Sequence, residues 1–244
     1  MMSVSSAISA AREWALGLIG MICPEVCEVC GKALVKGERH ICLFCLADMP
    51  RTVVADSARN PITMRFSRAG RIGRAVSMFV YDRSSPYAGL IVNAKYRGRP
   101  SIVAWLARKF AAELLATDFF DGIDVILPVP MFCVKKWIRG FNQAEEIAKG
   151  VSEATCIPVA DNLTALRPHS TQTHRDAAGR LANTEGIYGV KNPEELAGKH
   201  VLIVDDVITT GATLEACISS IEESVPGVTV SILTLASTPR WHIL

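Results

Sequence analysis

The run Val201-Leu-Ile-Val-Asp-Asp-Val-Ile-Thr-Thr-Gly-Ala-Thr213 puts two adjacent carboxylates, three hydroxyls and a glycine within thirteen residues. Val201 to Val204 have the apolar character of a buried central strand. Asp205 and Asp206 follow at its carboxyl end, where open α/β sheets take ligands. Thr209, Thr210 and Thr213 offer hydroxyls, and Gly211 lets the backbone come close to a ligand. Ala212 opens a helix whose first amides complete an anion cradle for one phosphate. Carboxylates beside such a cradle suit a sugar phosphate, with acids for the ribose hydroxyls or their Mg²⁺ and amides for the 5′-phosphate. The run is neither a Walker loop nor Gly-x-Gly-x-x-Gly, because the required Lys and glycine spacing are missing. The plainer alternative is an Asp-Asp pair that caps a helix.

A second constellation lies near the front. Cys27-Glu-Val-Cys30 and Cys42-Leu-Phe-Cys45 are separated by eleven residues, and they account for four of the eight cysteines. Each C-x-x-C turn sets two thiolates on one tight loop, and two such loops close a tetrahedral, structural Zn²⁺ site with no open position for catalysis. Disulfides are the competing use, but nothing in the sequence points to an oxidising compartment, so a cytoplasmic location is expected. Cys23 is a substitute ligand of poorer spacing. Cys133, Cys156 and Cys217 are expected to pack, and His40 to lie at the surface. Pro24 and Pro50 bracket the module, which divides the chain into 1–50 and 51–244.

These residues need a scaffold. At 244 residues, 50% apolar and 20% charged, the chain suits one large domain or a domain plus a small module. No apolar stretch is long enough for a spanning helix. Residues 1–21 read as an amphipathic helix rather than a signal peptide, since Arg12 and Glu13 interrupt them. Strands are expected at Ala75–Tyr81, Asp124–Pro130, Val201–Val204 and Val228–Leu235. Helices are expected over Tyr87–Lys95, Ile102–Ala116, Asn142–Glu153 and Ala212–Glu223, and the stretch from Pro50 to about Gly73 has no strong periodicity. Such alternation predicts a parallel α/β sheet covered on both faces.

Net charge is only +2, but it is unevenly spread. From Arg59 to Lys109 there are eleven basic residues and one acid, Asp82, while the rest of the chain has 15 basic and 23 acidic residues. Either the window faces a phosphate-rich partner or it is a solvated Arg-rich surface. Phe66, Phe79, Tyr81, Tyr87 and Tyr96 interleave it, which allows stacking on single-stranded DNA, although aromatics at such spacing usually belong to a core.

Taken together, these motifs resemble the ComF (competence protein F) family of type I phosphoribosyltransferase-like proteins. The 201–213 run resembles their phosphoribosyl-pyrophosphate motif. Pro128-Val-Pro130 followed by Arg139-Gly-Phe-Asn-Gln143 is similar to their diphosphate-side loop. Lys95-Tyr-Arg-Gly98, Gln172, Arg180, Asn183 and the four-cysteine module also fit. The resemblance implies a type I phosphoribosyltransferase-like parallel sheet preceded by a small zinc-ribbon-like module. It further implies that Asp205 and Asp206 hold the ribose 2′- and 3′-hydroxyls and that Thr209, Thr210, Gly211, Ala212 and Thr213 bind the 5′-phosphate. Arg139 and Gly140 would line the diphosphate pocket, with Lys95, Arg167 and Arg180 as further contacts and Mg²⁺ accompanying the ligand. Segment 164–186 resembles the hood loop over the site, although Ala165 replaces an expected arginine and Arg175 stands where an apolar residue is usual.

The implied reaction is transfer of phosphoribosyl to an acceptor such as a base or an amine. Loss of diphosphate leaves a ribosyl cation, so Mg²⁺ and cationic side chains on the leaving group would carry much of the catalysis. His169 and His174 are the candidate bases for the acceptor, against the plainer reading of solvated loop histidines. The alternative is a non-catalytic or regulatory protein of DNA uptake that works with single-stranded DNA and a helicase-like partner.

Overall fold

The computed structural model describes residues 24–52, 57–96, 98–167 and 186–242. The helix expected over residues 1–21 lies outside them. The chain divides into two compact units between Met49 and Pro50.

In the first unit, a turn at Cys27–Gly31 is closed by the bridge Val26–Ala33 and by the Gly31 N–H to Cys27 O bond of 2.9 Å. Helix α1, Leu43–Ala47, starts at Cys42, whose sulfur accepts from the Cys45 N–H. Glu38 clips the two halves, its carboxylate accepting from Val35 N at 2.9 Å and Leu43 N at 2.8 Å. Among the described residues the buried apolar set of this unit is only Cys27, Ile41, Cys42 and Met49.

The second unit opens with helix α2, Pro61–Phe66, in the stretch where no element is expected from periodicity. Its signal is a cap: Asn60 accepts from the Ile62 and Thr63 amides at 3.0 Å, and Pro61 has the fixed φ that suits a first helical residue. Strand β1, Ile72–Val80, starts three residues earlier than its apolar run suggests. Helices α3, Ala88–Tyr96, and α4, Pro100–Leu114, follow. Strand β2 is Val125–Pro128, α5 is Cys133–Arg139 and α6 is Gln143–Thr155. The short strands β3, Leu163–Ala165, and β4, Tyr188–Val190, pair antiparallel. The chain closes with β5, His200–Ile208, α7, Ala212–Ser224, and β6, Thr229–Ser237.

The sheet runs β1-β6-β5-β2 with every pair parallel. Its inner residues are buried on both faces, as the continuous apolar strands require. On one face Val201, Ile203, Val230 and Ile232 join Leu214, Cys217, Ile218 and Ile221 of α7 in one core. The β3–β4 pair adds Leu163 and Tyr188 to it, and α2 adds Ile62 and Phe66. On the other face α4 and α6 pack against each other. Gly150 lets α6 approach the Ala104 carbonyl of α4 where no Cβ would fit.

The ends of β5 and β6 decide the site. Four apolar residues predict a strand stopping at Val204, but β5 continues to Ile208. Its partner β6 reaches Ser237, and the register Asp205–Thr234, Val207–Ala236 and Ile208–Ser237 supplies backbone partners beyond the apolar run. Strand β2 pairs only as far as Pro128–Val204, so past that point β5 projects with β6 on one side alone. Both acids lie on this projecting part.

Candidate phosphate and metal sites

Side chains alternate along a strand, so Asp205 and Asp206 point to opposite faces of the sheet. Asp205 is in phase with Val201 and Ile203 and shares the α7 side. There its charge helps to raise the Cys217 thiol and Tyr188 phenol pKa values, although burial is the larger cause of both. Asp206 is in phase with Leu202 and Val204 and is 8% exposed. Its Oδ2 lies 2.5 Å from Lys95 Nζ, at the last turn of α3.

Charge balance in this cluster is tight. Burial pushes Asp205 up to about 7, and the neighbouring Asp206 charge adds to the rise. The Asp206 N–H, which donates to Asp205 Oδ1 at 2.8 Å, and the Lys95 charge oppose it. Burial would depress the Lys95 ammonium, but the Asp206 and Asp205 charges outweigh it and hold the pKa above its usual value, with Arg139 working against them. Lys95 and Arg139 thus bring their charges to one place, as two of the predicted ligand contacts.

The turn after β5 presents backbone donors. Thr209 and Thr210 are exposed, whereas Gly211 is buried at φ +90, a conformation that suits glycine. Gly211 caps α7 with no side-chain hydrogen bond, which leaves first-turn amides for an anion. Thr210 Oγ1 accepts from Ala212 N at 3.3 Å. Gly140, at φ +83, ends α5 and leads into α6. The following Asn142 is a scaffold residue: it caps α6 through Ala144 N at 3.1 Å and donates to Val129 O at 2.9 Å. Gln143 donates to Ile91 O of α3 at 3.3 Å.

Other expected contacts fall elsewhere. Arg167 is exposed just beyond β3, and Ala165 pairs with Tyr188 inside the β3–β4 ladder. Residues His169, Gln172, His174, Arg175, Arg180 and Asn183 of the hood segment lie outside the described residues. Phe66, Phe79 and Tyr87 are buried, which removes them as a stacking platform for single-stranded DNA. Three cations of the basic window are also paired within the chain, Lys95 with Asp206 in a mostly buried setting, and Arg74 near Asp118 at 3.6 Å and Arg108 near Glu153 at 3.8 Å toward the surface. Cys217 is buried as expected, but Cys133 and Cys156 are exposed rather than packed. Periodicity also fails to foresee α5, a short helix whose Val134, Trp137 and Ile138 face solvent, Trp137 at 87% exposure.

In the first unit the sulfurs of Cys27, Cys30, Cys42 and Cys45 all lie within 4.8 Å of one another. Cys30 and Cys42 are 3.8 Å apart, far beyond a disulfide bond. That spacing fits the edge of a tetrahedron of about 3.8 Å that Zn–S bonds of about 2.3 Å imply. Cys27 Sγ accepts from Cys42 N at 3.3 Å, and Cys42 Sγ from Cys45 N at 3.5 Å. Burial tends to raise the Cys27 thiol, but such amide donors bring it down to about 7, while burial raises Cys45. Four crowded sulfurs cannot all ionise without a cation, and the donor set fits a metal ion.

Paired acids and a Thr-Gly-Ala-Thr turn at the carboxyl edge of a parallel sheet define a phosphoribosyltransferase-type domain. The phosphoribosyl transferase domain family matches residues 103–240. The DNA utilization protein YhgH of Salmonella typhimurium is 30% identical over 203 residues, spanning 78% of this chain and 88% of that protein. Competence protein F of Haemophilus influenzae is 34% identical over 93 residues, 37% of this chain and 41% of that protein. Among solved structures, a purine phosphoribosyltransferase from Pyrococcus horikoshii covers 57% of this chain and 79% of its own, at 19% identity and a TM-score of 0.36. The chain belongs to the phosphoribosyl transferase domain family, in its competence protein F branch. Among the described residues no helix is long and apolar enough to cross a membrane.

Proposed function

We propose that the protein binds phosphoribosyl pyrophosphate with Mg²⁺ and transfers its phosphoribosyl group to an acceptor. One observation carries the reading: Asp205, Asp206 and the 209–213 turn occupy the projecting end of β5, with Lys95 on Asp206. Asp205 and Asp206 would take the ribose hydroxyls, and the amides and hydroxyls of Thr209, Thr210, Gly211, Ala212 and Thr213 the 5′-phosphate. Arg139, Gly140 and Lys95 would face the diphosphate, with Arg167 and Arg180 as further contacts. The carboxylate oxygens suit Mg²⁺, a hard cation that would neutralise charge on the departing diphosphate. Cys27, Cys30, Cys42 and Cys45 would hold a structural Zn²⁺, a use of thiols that suits a reducing compartment such as the cytoplasm.

A second reading rests on the relatives. One is named for DNA utilization and another for competence. In that case the sugar-phosphate pocket serves regulation, and the exposed arginines of the basic window, such as Arg68, Arg71 and Arg83, meet single-stranded DNA or a helicase-like partner.

The test for the first reading uses pH. Asp205, with its pKa near 7, keeps its proton at pH 6 and is ionised at pH 8. The carboxylate is the stronger acceptor for a ribose hydroxyl, so affinity for phosphoribosyl pyrophosphate with Mg²⁺ should rise across that interval. The ligand's own last phosphate proton contributes the same sign, so the comparison is with Asp205→Asn, where the rise should be smaller. An equal rise in both proteins would contradict the role of Asp205. Phosphorus NMR of the same mixtures with added bases and amines then separates transfer, seen as free diphosphate, from binding alone.

A further inference from the structure

We propose that Trp241 is the positioning residue of the phosphate-binding turn, acting through the Thr209 carbonyl and Gly211. The inference rests on the phosphoribosyl reading for its purpose, but its geometry stands on contacts outside the motif.

After β6 the chain makes a short 3₁₀ turn, Pro239–Trp241, that returns to the end of β5. Trp241 is buried, and its Nε1 donates to Thr209 O at 2.9 Å. Thr238 Oγ1 donates to the same oxygen at 3.3 Å, and the Arg240 guanidinium also reaches it. Thus three side chains of one turn converge on one carbonyl of the cradle. The indole is itself wedged. It stacks on Phe66 of α2 with centroids 5.0 Å apart and planes 12° off parallel, and Arg65 Cζ lies 5.2 Å from its centroid. A Cβ on Gly211 would come within 2.6 Å of Trp241 Cζ2 and 2.7 Å of Cη2, so the indole rests directly against the glycine backbone.

The consequence follows from peptide geometry. In a planar trans peptide the carbonyl and the N–H point in opposite directions. Holding the Thr209 carbonyl on Trp241 therefore turns the Thr210 N–H to the other side, away from the indole. Hydrogen bonds to a carbonyl also polarise the N–H of the same peptide, which makes it a stronger donor to an anion. Trp241 accordingly sets both the direction and the strength of a backbone donor in the turn, without touching the ligand.

The experiment compares the full chain with Trp241→Phe, which keeps a ring on Phe66 and removes the N–H, by amide hydrogen exchange without ligand. Within 209–212, exchange of the Ala212 N–H, which donates to Thr210 Oγ1, should accelerate about tenfold, with the protection of β1 and β6 unchanged. Affinity for phosphoribosyl pyrophosphate with Mg²⁺ should fall about tenfold. If Trp241→Phe fails to fold, Arg240→Met and Thr238→Val remove the other two donors, and together they should produce a smaller change in the same peptide. Unchanged exchange at 209–212, or a loss of protection spread evenly over the sheet, overturns the positioning role. A wild-type protein that binds no phosphoribosyl pyrophosphate would instead defeat the functional reading, while the ligand-free exchange comparison still decides the role of Trp241.

Discussion

Chelating the proposed Zn²⁺, or replacing Cys42 by Ser, should unfold the four-cysteine unit and leave the sheet domain folded. The first unit buries little among its described residues beyond Ile41, Met49 and two of the cysteines themselves. A core of that size does not offset the entropy of ordering the chain, and small units of this kind need a metal or cross-links. Among the described residues no disulfide links this unit, and the Cys30 and Cys42 sulfurs sit at a non-bonded 3.8 Å. A structural Zn²⁺ contributes about 10–16 kcal/mol of apparent binding energy in small finger modules, more than such a unit has in reserve. Cys42 gives the sharpest test, since its sulfur is both a proposed ligand and the cap of α1. Metal analysis of protein purified without added zinc should return about one Zn per chain, and Cys42→Ser should lose it. Amide NMR should then show the 24–49 resonances collapse while those of β5 and β6 persist. A metal-free protein with the first unit intact would remove the zinc assignment.

Asp206→Asn should weaken both the fold and the ligand site, and the two effects should separate. The Asp206 and Lys95 side chains are 11% and 26% exposed, so the ammonium would lose its carboxylate in a mostly dry setting. Breaking a buried pair costs about 3–5 kcal/mol. Residual water access at Lys95 reduces this to an expected loss of about 2 kcal/mol, read from denaturant midpoints. Adding Lys95→Met to Asp206→Asn removes the stranded charge and should recover most of that stability. Ligand affinity should not recover, because charged hydrogen bonds of about 1.5–3 kcal/mol each are lost at both positions. Stability and affinity returning together would mean that the pair acts only as a structural brace.

The 201–213 run announced a buried strand, paired acids at its end and a glycine turn, because strand burial, acid placement and turn chemistry are all local. The cysteine spacing was equally legible, since two C-x-x-C turns need little more than chain connectivity to meet. Other features depend on partners distant in sequence. The length of β5 comes from its register with β6, so four apolar residues understate it. The pairing of Lys95 with Asp206 joins α3 to β5, and no periodicity announces it. Trp241 reads as an ordinary apolar residue until the chain folds back onto Thr209. Phe66, Phe79 and Tyr87 of the basic window went to the core, which the sequence spacing alone does not announce. Asn60-Pro61 and its cap were present in the sequence, but a six-residue helix carries too little periodicity to be seen.

The most direct measurement is a calorimetric titration of phosphoribosyl pyrophosphate with Mg²⁺ into the metal-loaded wild type and into Asp205→Asn/Asp206→Asn. Saturable 1:1 binding in the wild type, lost in a double variant that still melts cooperatively, is the predicted result. No heat of binding in a well-folded wild type, or equal binding in both proteins, would contradict the assignment of this pocket.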